Sequence, residues 1–351
     1  MNKNRRLAVI DTWFPWKLSG FRYWENVEIH VQRPDTLFFA AFLRSDEFPA
    51  PVLPFAQFQS VALAEKITDV YCVFLNLTLS LLGACTLPDG SRIAGGDETM
   101  NIRPFLSHHK IDLHSTIYPG GGLDLGTKPE FLSIAASGCK TIFTNNTEVL
   151  TKISSSIYQP VAINTDLYHV VPKQWSRPIQ LIFCAFNYPR KGFPLLAEVF
   201  NRLNADFHLH IVGDWDDHLH LLTNQRFTFH GPLSPDSLTA LYQQSHVFIN
   251  LSSSDGLALD GFPTTAALDA MAAGCLLISI NPRNDHLVLA SGNDYLEVSP
   301  EAQTVVDALH WVRDHMPEAR QLAVNGANTV KTRFNVSEIV KAKLYYMLDR
   351  Y

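Results

Sequence analysis

The sequence is poor in charge. Only 18% of its 351 residues are Asp, Glu, Lys or Arg, and the formal net charge is −6. No basic footprint of the kind that grips phosphate backbones is present, so nucleic acid is not an expected partner. Cysteine is scarce as well. The five thiols at Cys72, Cys85, Cys139, Cys184 and Cys275 are scattered, mostly within apolar runs, and none forms a Cys-x-x-Cys pair. Reduced, buried thiols are the expected state. Long hydrophobic runs are also missing: the most apolar segment, Val70 to Cys85, is short for a membrane span and carries Asn76 and Thr78. The basic start, Met-Asn-Lys-Asn-Arg-Arg, leads into a strand-like Leu-Ala-Val-Ile and not into an apolar stretch of signal-peptide type. A cytoplasmic location is expected. There is no Ser-His-Asp set and no nucleophile elbow.

What remains is a chain with 46% hydrophobic residues, long enough for about two domains with sizeable cores. Strands and helices alternate along it. Leu7–Asp11 reads as a buried strand that feeds a loop with Gly20 and then a helix. That loop is dense in aromatic and basic groups: Trp13, Phe14, Trp16, Lys17, Phe21, Arg22, Tyr23 and Trp24. They suit either an acceptor sugar or lipid headgroup surface, or an N-terminal core. Thr36–Leu43, Val70–Leu75, Ile111 onward and Thr141 onward read as further strands, with Pro119-Gly-Gly-Gly122 as a flexible loop. Val170–Pro178, with two prolines and no periodicity, reads as a linker. A second series follows: strands at Ile179–Phe186, Phe207–Gly213, Phe227–Gly231 and Val247–Ser252, and a helix Pro235–Gln244 capped by Ser234. The pattern predicts an α/β protein with two doubly wound parallel sheets facing a ligand cleft. The expected boundaries are 1–165, a linker 166–178, 179–333, and a closing helix in 334–351 that is a candidate to cross back to the first domain.

The chemistry concentrates in the second half. In Asp260-Gly-Phe-Pro-Thr-Thr-Ala-Ala-Leu-Asp269-Ala-Met-Ala-Ala-Gly274, Pro263 suits the first turn of a helix, and Thr264 and Thr265 place hydroxyls beside its unpaired N–H groups. Such a helix start favours an anion. Asp269 lies one turn further on the same face as Thr265. Upstream, Asn187-Tyr-Pro-Arg190-Lys191-Gly192 puts two cations after the first strand of this half, a way to stabilise a departing diphosphate. Asp214-Trp-Asp216 is the single oxygen-rich candidate for a metal, and its setting after Val212-Gly213 fits a solvated acidic loop better.

This set of motifs resembles the nucleotide-sugar signature of the family-4 glycosyltransferases, retaining enzymes of the GT-B fold with two Rossmann-like domains. The Lys-Gly loop, the Val-Gly-Asp strand end, Gly231-Pro with its capped helix and the Asp260–Gly274 stretch stand in family order. The resemblance implies that Asp260 contacts the donor sugar, Asp269 the ribose, and Arg190 and Lys191 the diphosphate. Gly20, Gly192, Gly213, Pro263, Thr264 and Thr265 would line the donor site. Both acidic positions are usually Glu, and the gap between them is one residue longer here, which leaves Asp255 open as an alternative to Asp260. Relatives hold a first-domain histidine against the donor sugar; His114, read as ending a strand before Pro119-Gly-Gly-Gly122, is the candidate, with a polar core histidine as the equal alternative and His108 and His109 competing.

The implied activity is transfer of a hexose-like sugar from a nucleoside-diphosphate co-substrate to a glycan or lipid-linked glycan, with retention, without metal or other cofactor, in polysaccharide biosynthesis. Peripheral contact with the inner face of a membrane is compatible with it. A nucleotide-sugar epimerase of the same fold and a non-catalytic nucleotide-sugar-binding module are the alternatives.

Overall fold

A computed structural model describes residues 5–253 and 260–349. The chain divides into two compact units, Met1–Ile163 with Val336–Tyr351, and Asn164–Asn335. The stretch expected as a linker, 166–178, therefore counts with the second unit. It is held there by side chains: Lys173 donates to the carbonyls of Tyr242 at 2.8 Å and Ser245 at 2.6 Å.

The first unit is built on seven parallel strands: β1 (Leu7–Phe14), β2 (Leu37–Leu43), β3 (Val52–Pro54), β4 (Asp69–Val73), β5 (Asp112–Thr116), β6 (Thr141–Thr144) and β7 (Ile157–Tyr158), in the order β3-β2-β1-β4-β5-β6-β7. Their near-continuous apolar runs suit a sheet covered on both faces. Successive side chains alternate between those faces. Leu7 and Val9 pack with Phe38, Ala40 and Tyr71, while Ala8 and Ile10 pack with Phe39, Val70 and Cys72. The strand expected at Val70–Leu75 stops at Val73; Phe74 takes a left-handed turn, and Leu75–Leu81 is a helix. Apolarity alone does not separate a buried strand from a buried helix.

The second unit holds six parallel strands: β8 (Ile179–Cys184), β9 (Phe207–Val212), β10 (Phe227–Gly231), β11 (Val247–Asn250), β12 (Leu276–Ser279) and β13 (Leu296–Glu297), in the order β10-β9-β8-β11-β12-β13. One face carries Ile179, Leu181 and Phe183 with Leu209, Ile211, Val247 and Ile249 against the helices Phe193–Asn201 and Ala302–Asp314. β8, β9 and β10 run outward to one edge, and the chain then crosses to place β11 on the other side of β8. In such sheets, ligands bind at the carboxyl ends where the order reverses.

The helix Val336–Leu344, extended by a π-helical turn at Tyr345–Asp349, belongs to the first unit. Ile339, Val340, Leu344 and Met347 share a core with Leu7 and Val9. Within that core Lys343 is fully buried. Its ammonium donates to both Glu25 oxygens at 2.9 Å, to the Tyr71 hydroxyl at 2.9 Å and to Thr116 at 3.0 Å. No described helix is long and apolar enough to cross a membrane.

Candidate functional site

The loop after β8 and the segment after β11 meet at the switch point of the second sheet. Pro189–Lys191 forms a short 3-10 turn closed by Gly192. Gly192 has φ +77°, and a side chain there would stand 2.4 Å from the Leu251 carbonyl oxygen. The glycine thus lets this loop lie against the end of β11, where the Ser253 N–H donates to the Arg190 carbonyl at 2.9 Å. A second tie comes from Asp214, which accepts the Asn187 N–H at 2.7 Å.

These contacts bring together residues seventy positions apart. Arg190 Nε donates to Asp260 Oδ1 at 3.1 Å, and Lys191 Nζ to Asp260 Oδ2 at 2.6 Å. The guanidinium also lies over the Tyr188 ring, 4.7 Å from its centroid. Burial works against the charge on Asp260, yet Lys191 and then Arg190 hold its carboxyl below the usual range. Asp255 lies outside the described residues.

The segment then turns into the helix Thr265–Ala272. Thr264 is its N-cap, its hydroxyl accepting the Ala267 N–H. Pro263 precedes the cap and stands two positions before the first helical residue, outside the turn expected for it. The unpaired first-turn N–H groups and the positive end of the helix dipole lie at this end of the helix. One turn along, Asp269 is only partly exposed as a residue, with its carboxyl group enclosed. Burial raises its pKa to about 7, and a hydrogen bond from Tyr168 opposes the shift. Cys184, whose thiol burial pushes up to about 11, shares this environment. Tyr168 carries no local sequence signal, because it sits in a stretch without periodicity.

The remaining candidates separate from this cluster. Gly213 has φ +122°, and a side chain on it would stand 2.0 Å from the Ala185 carbonyl oxygen, so it permits the close approach of β8 and β9. Gly20 opens the helix Gly20–Gln32 of the first unit with nothing near its Cα that a side chain would meet. His114 does not end its strand. It is the middle residue of β5, fully buried, with Nε2 2.9 Å from Asp69 Oδ1. Asp69 opens β4, so the ring points back toward the amino ends of the strands and away from the ligand-binding end. His108 and His109 close the helix Arg103–His109. Asp216 is exposed at the start of a 3-10 turn, and among the described residues no group of three or more His, Cys, Asp or Glu is arranged to hold a metal ion.

The aromatic stretch near Gly20 divides. Phe14 and Tyr23 are buried in the core, and Arg22 pairs with buried Asp11 at 2.6 Å. Trp13 is 46% exposed and stacks on Phe42 at 4.6 Å, with Arg44 over its ring.

A family model described as "Glycosyl transferase-like" matches residues 190–344, which include the Arg190–Lys191–Asp260 cluster and the helix behind it. Solved structures match the chain over nearly all its length. The fold is that of the GT-B glycosyltransferases. A glycosyltransferase from Rickettsia africae is 13% identical, with all of both chains covered and a TM-score of 0.73. Anabaena HepE, crystallised with UDP-glucose, is 13% identical, with 96% of this chain and 97% of that one covered and a TM-score of 0.70. A sucrose-phosphate synthase from Thermosynechococcus elongatus is 13% identical, with 98% and 99% covered and a TM-score of 0.69. No curated protein matches the sequence.

Proposed function

We propose that the protein is a glycosyltransferase that takes a hexose-like sugar from a nucleoside-diphosphate donor and passes it to a glycan or lipid-linked glycan with retention. The observation that carries this reading is the meeting of Arg190, Lys191 and Asp260 at the switch point of the second sheet. Breaking a glycosyl–phosphate bond leaves charge on a diphosphate. Two fixed cations and a helix start in a partly dry site stabilise that charge as it develops. Asp269 would take the ribose and Asp260 the sugar. The UDP-glucose complex of Anabaena HepE, on the same fold, supports a nucleotide sugar as the co-substrate.

The two cations are assigned the work a bound metal would do, so turnover is expected to survive a chelator. Strict dependence on added Mn²⁺ or Mg²⁺ would reject that part. The whole reading is tested by titrating the protein with a panel of nucleoside diphosphates and their sugars, then following nucleotide release with glycan and lipid-linked acceptors. At least one donor should bind and release nucleotide only when an acceptor is present. Conversion of the donor sugar without acceptor would point to an epimerase instead. Lys191→Ala and Arg190→Ala should each slow transfer, a single preorganised donor to a developing anion being worth about 3 kcal/mol.

A further inference from the structure

We infer that Asp260 is the resting occupant of the diphosphate site: its carboxylate holds the Arg190 and Lys191 side chains in place and must be displaced before a diphosphate can take both. The inference rests on the proposed reading only for the identity of the incoming anion.

The three side chains are 26%, 17% and 17% exposed for Arg190, Lys191 and Asp260. They are dry enough for charge to matter and open enough to exchange partners. Two neighbouring cations without a counter-ion would repel one another in such a place. One carboxylate satisfies both, Oδ1 to the guanidinium and Oδ2 to the ammonium, and leaves one positive charge in excess. A diphosphate brings more charge and more acceptor oxygens than a carboxylate, so it wins the exchange. Arg190 stays in place afterwards because Tyr188 supports its guanidinium from the ring face. The freed carboxylate is then an unpaired acceptor beside the diphosphate, available to a sugar hydroxyl. The same competition works on the way out: after transfer, Asp260 returns to the cations and weakens their hold on the product.

Removing the carboxylate charge should therefore tighten diphosphate binding, an effect opposite to the loss expected if Asp260 only supported the fold. The probe is inorganic pyrophosphate, followed by calorimetry on the full chain at fixed ionic strength. Asp260→Asn should bind it at least about tenfold more tightly than wild type, the scale of one hydrogen bond to a charged group. Asp260→Glu, which keeps the competing charge, should stay close to wild type. Without ligand, Asp260→Asn should melt below wild type, and pyrophosphate should raise its melting temperature by more. Equal or weaker binding by Asp260→Asn overturns the inference. Asp260→Ser must show the same gain if the amide variant does not fold. Wild-type binding of a nucleoside diphosphate with no gain in Asp260→Asn removes this inference and leaves the proposed function standing. A gain for pyrophosphate with no nucleotide bound by wild type does the reverse.

Discussion

Asp269 carries a proton at a pH where most aspartates do not, and two measurements follow. Between the unfolded value of 3.8 and the folded value of about 7, the folded state binds more protons than the unfolded one. Stability from this group therefore falls as pH rises through that window and levels off above it. Asp269→Asn should raise the melting temperature of the ligand-free protein at about pH 8, with the gain shrinking toward about pH 4. Nucleotide binding should move the other way. Ribose hydroxyls donate hydrogen bonds and are held best by a charged carboxylate. Affinity for nucleoside diphosphate should rise as pH passes through about 7 and fall roughly tenfold or more in Asp269→Asn. Tyr168→Phe removes the hydrogen bond that holds the carboxyl's pKa down, so it should shift that pH midpoint upward. A pH-independent affinity would separate Asp269 from the ribose.

At the level of single elements, the loop Pro189–Gly192 depends on one residue type. Gly192→Ala puts a side chain into a left-handed position and within 2.4 Å of the Leu251 carbonyl oxygen. The backbone conformation alone costs about 1–2 kcal/mol, and the loop must also draw back from β11. Chemical denaturation should show the stability loss, and transfer should fall with it because Arg190 and Lys191 ride on that loop.

Much of this element layer was legible in the sequence. The capped helix Pro235–Gln244 and the strand Phe227–Gly231 fall where Ser234-Pro235 and the apolar pattern put them. Thr264 and the glycine at 274 bracket the next helix, because caps and stops are local chemistry. Three kinds of feature were not legible. The edge strands Val52–Pro54, Ile157–Tyr158 and Leu296–Glu297 are too short to show a period. The Tyr168 contact with Asp269 joins distant positions that no spacing rule links. The place of His114 within its strand is the third, because Ile111–Thr116 reads as a strand from either end and its partner Asp69 lies on another strand.

For the molecule as a whole, the buried ammonium of Lys343 ties the last helix into the first unit. Lys343→Ala leaves Glu25 buried without its cation, and the stability loss should be about 3–5 kcal/mol. Replacing both partners, with Lys343→Met and Glu25→Gln, should recover a large part of it. If the single and double variants unfold alike, packing and not the charge pair secures the helix.

The division of the chain has a consequence for its synthesis. The second unit spans one continuous segment, and its two ends meet where Asn335 donates to the Thr165 hydroxyl at 2.6 Å. The first unit is closed only when Val336 donates its N–H to the Ile163 carbonyl at 2.9 Å and the residues after it fill the core beside Leu7. As the chain leaves the ribosome, the part made first must wait for the part made last. The second unit can be complete while the first still exposes the groove for its final helix. A chain ended at Asn335 and released should already protect the strands β8 to β12 from protease while β1 and β2 remain open to cleavage.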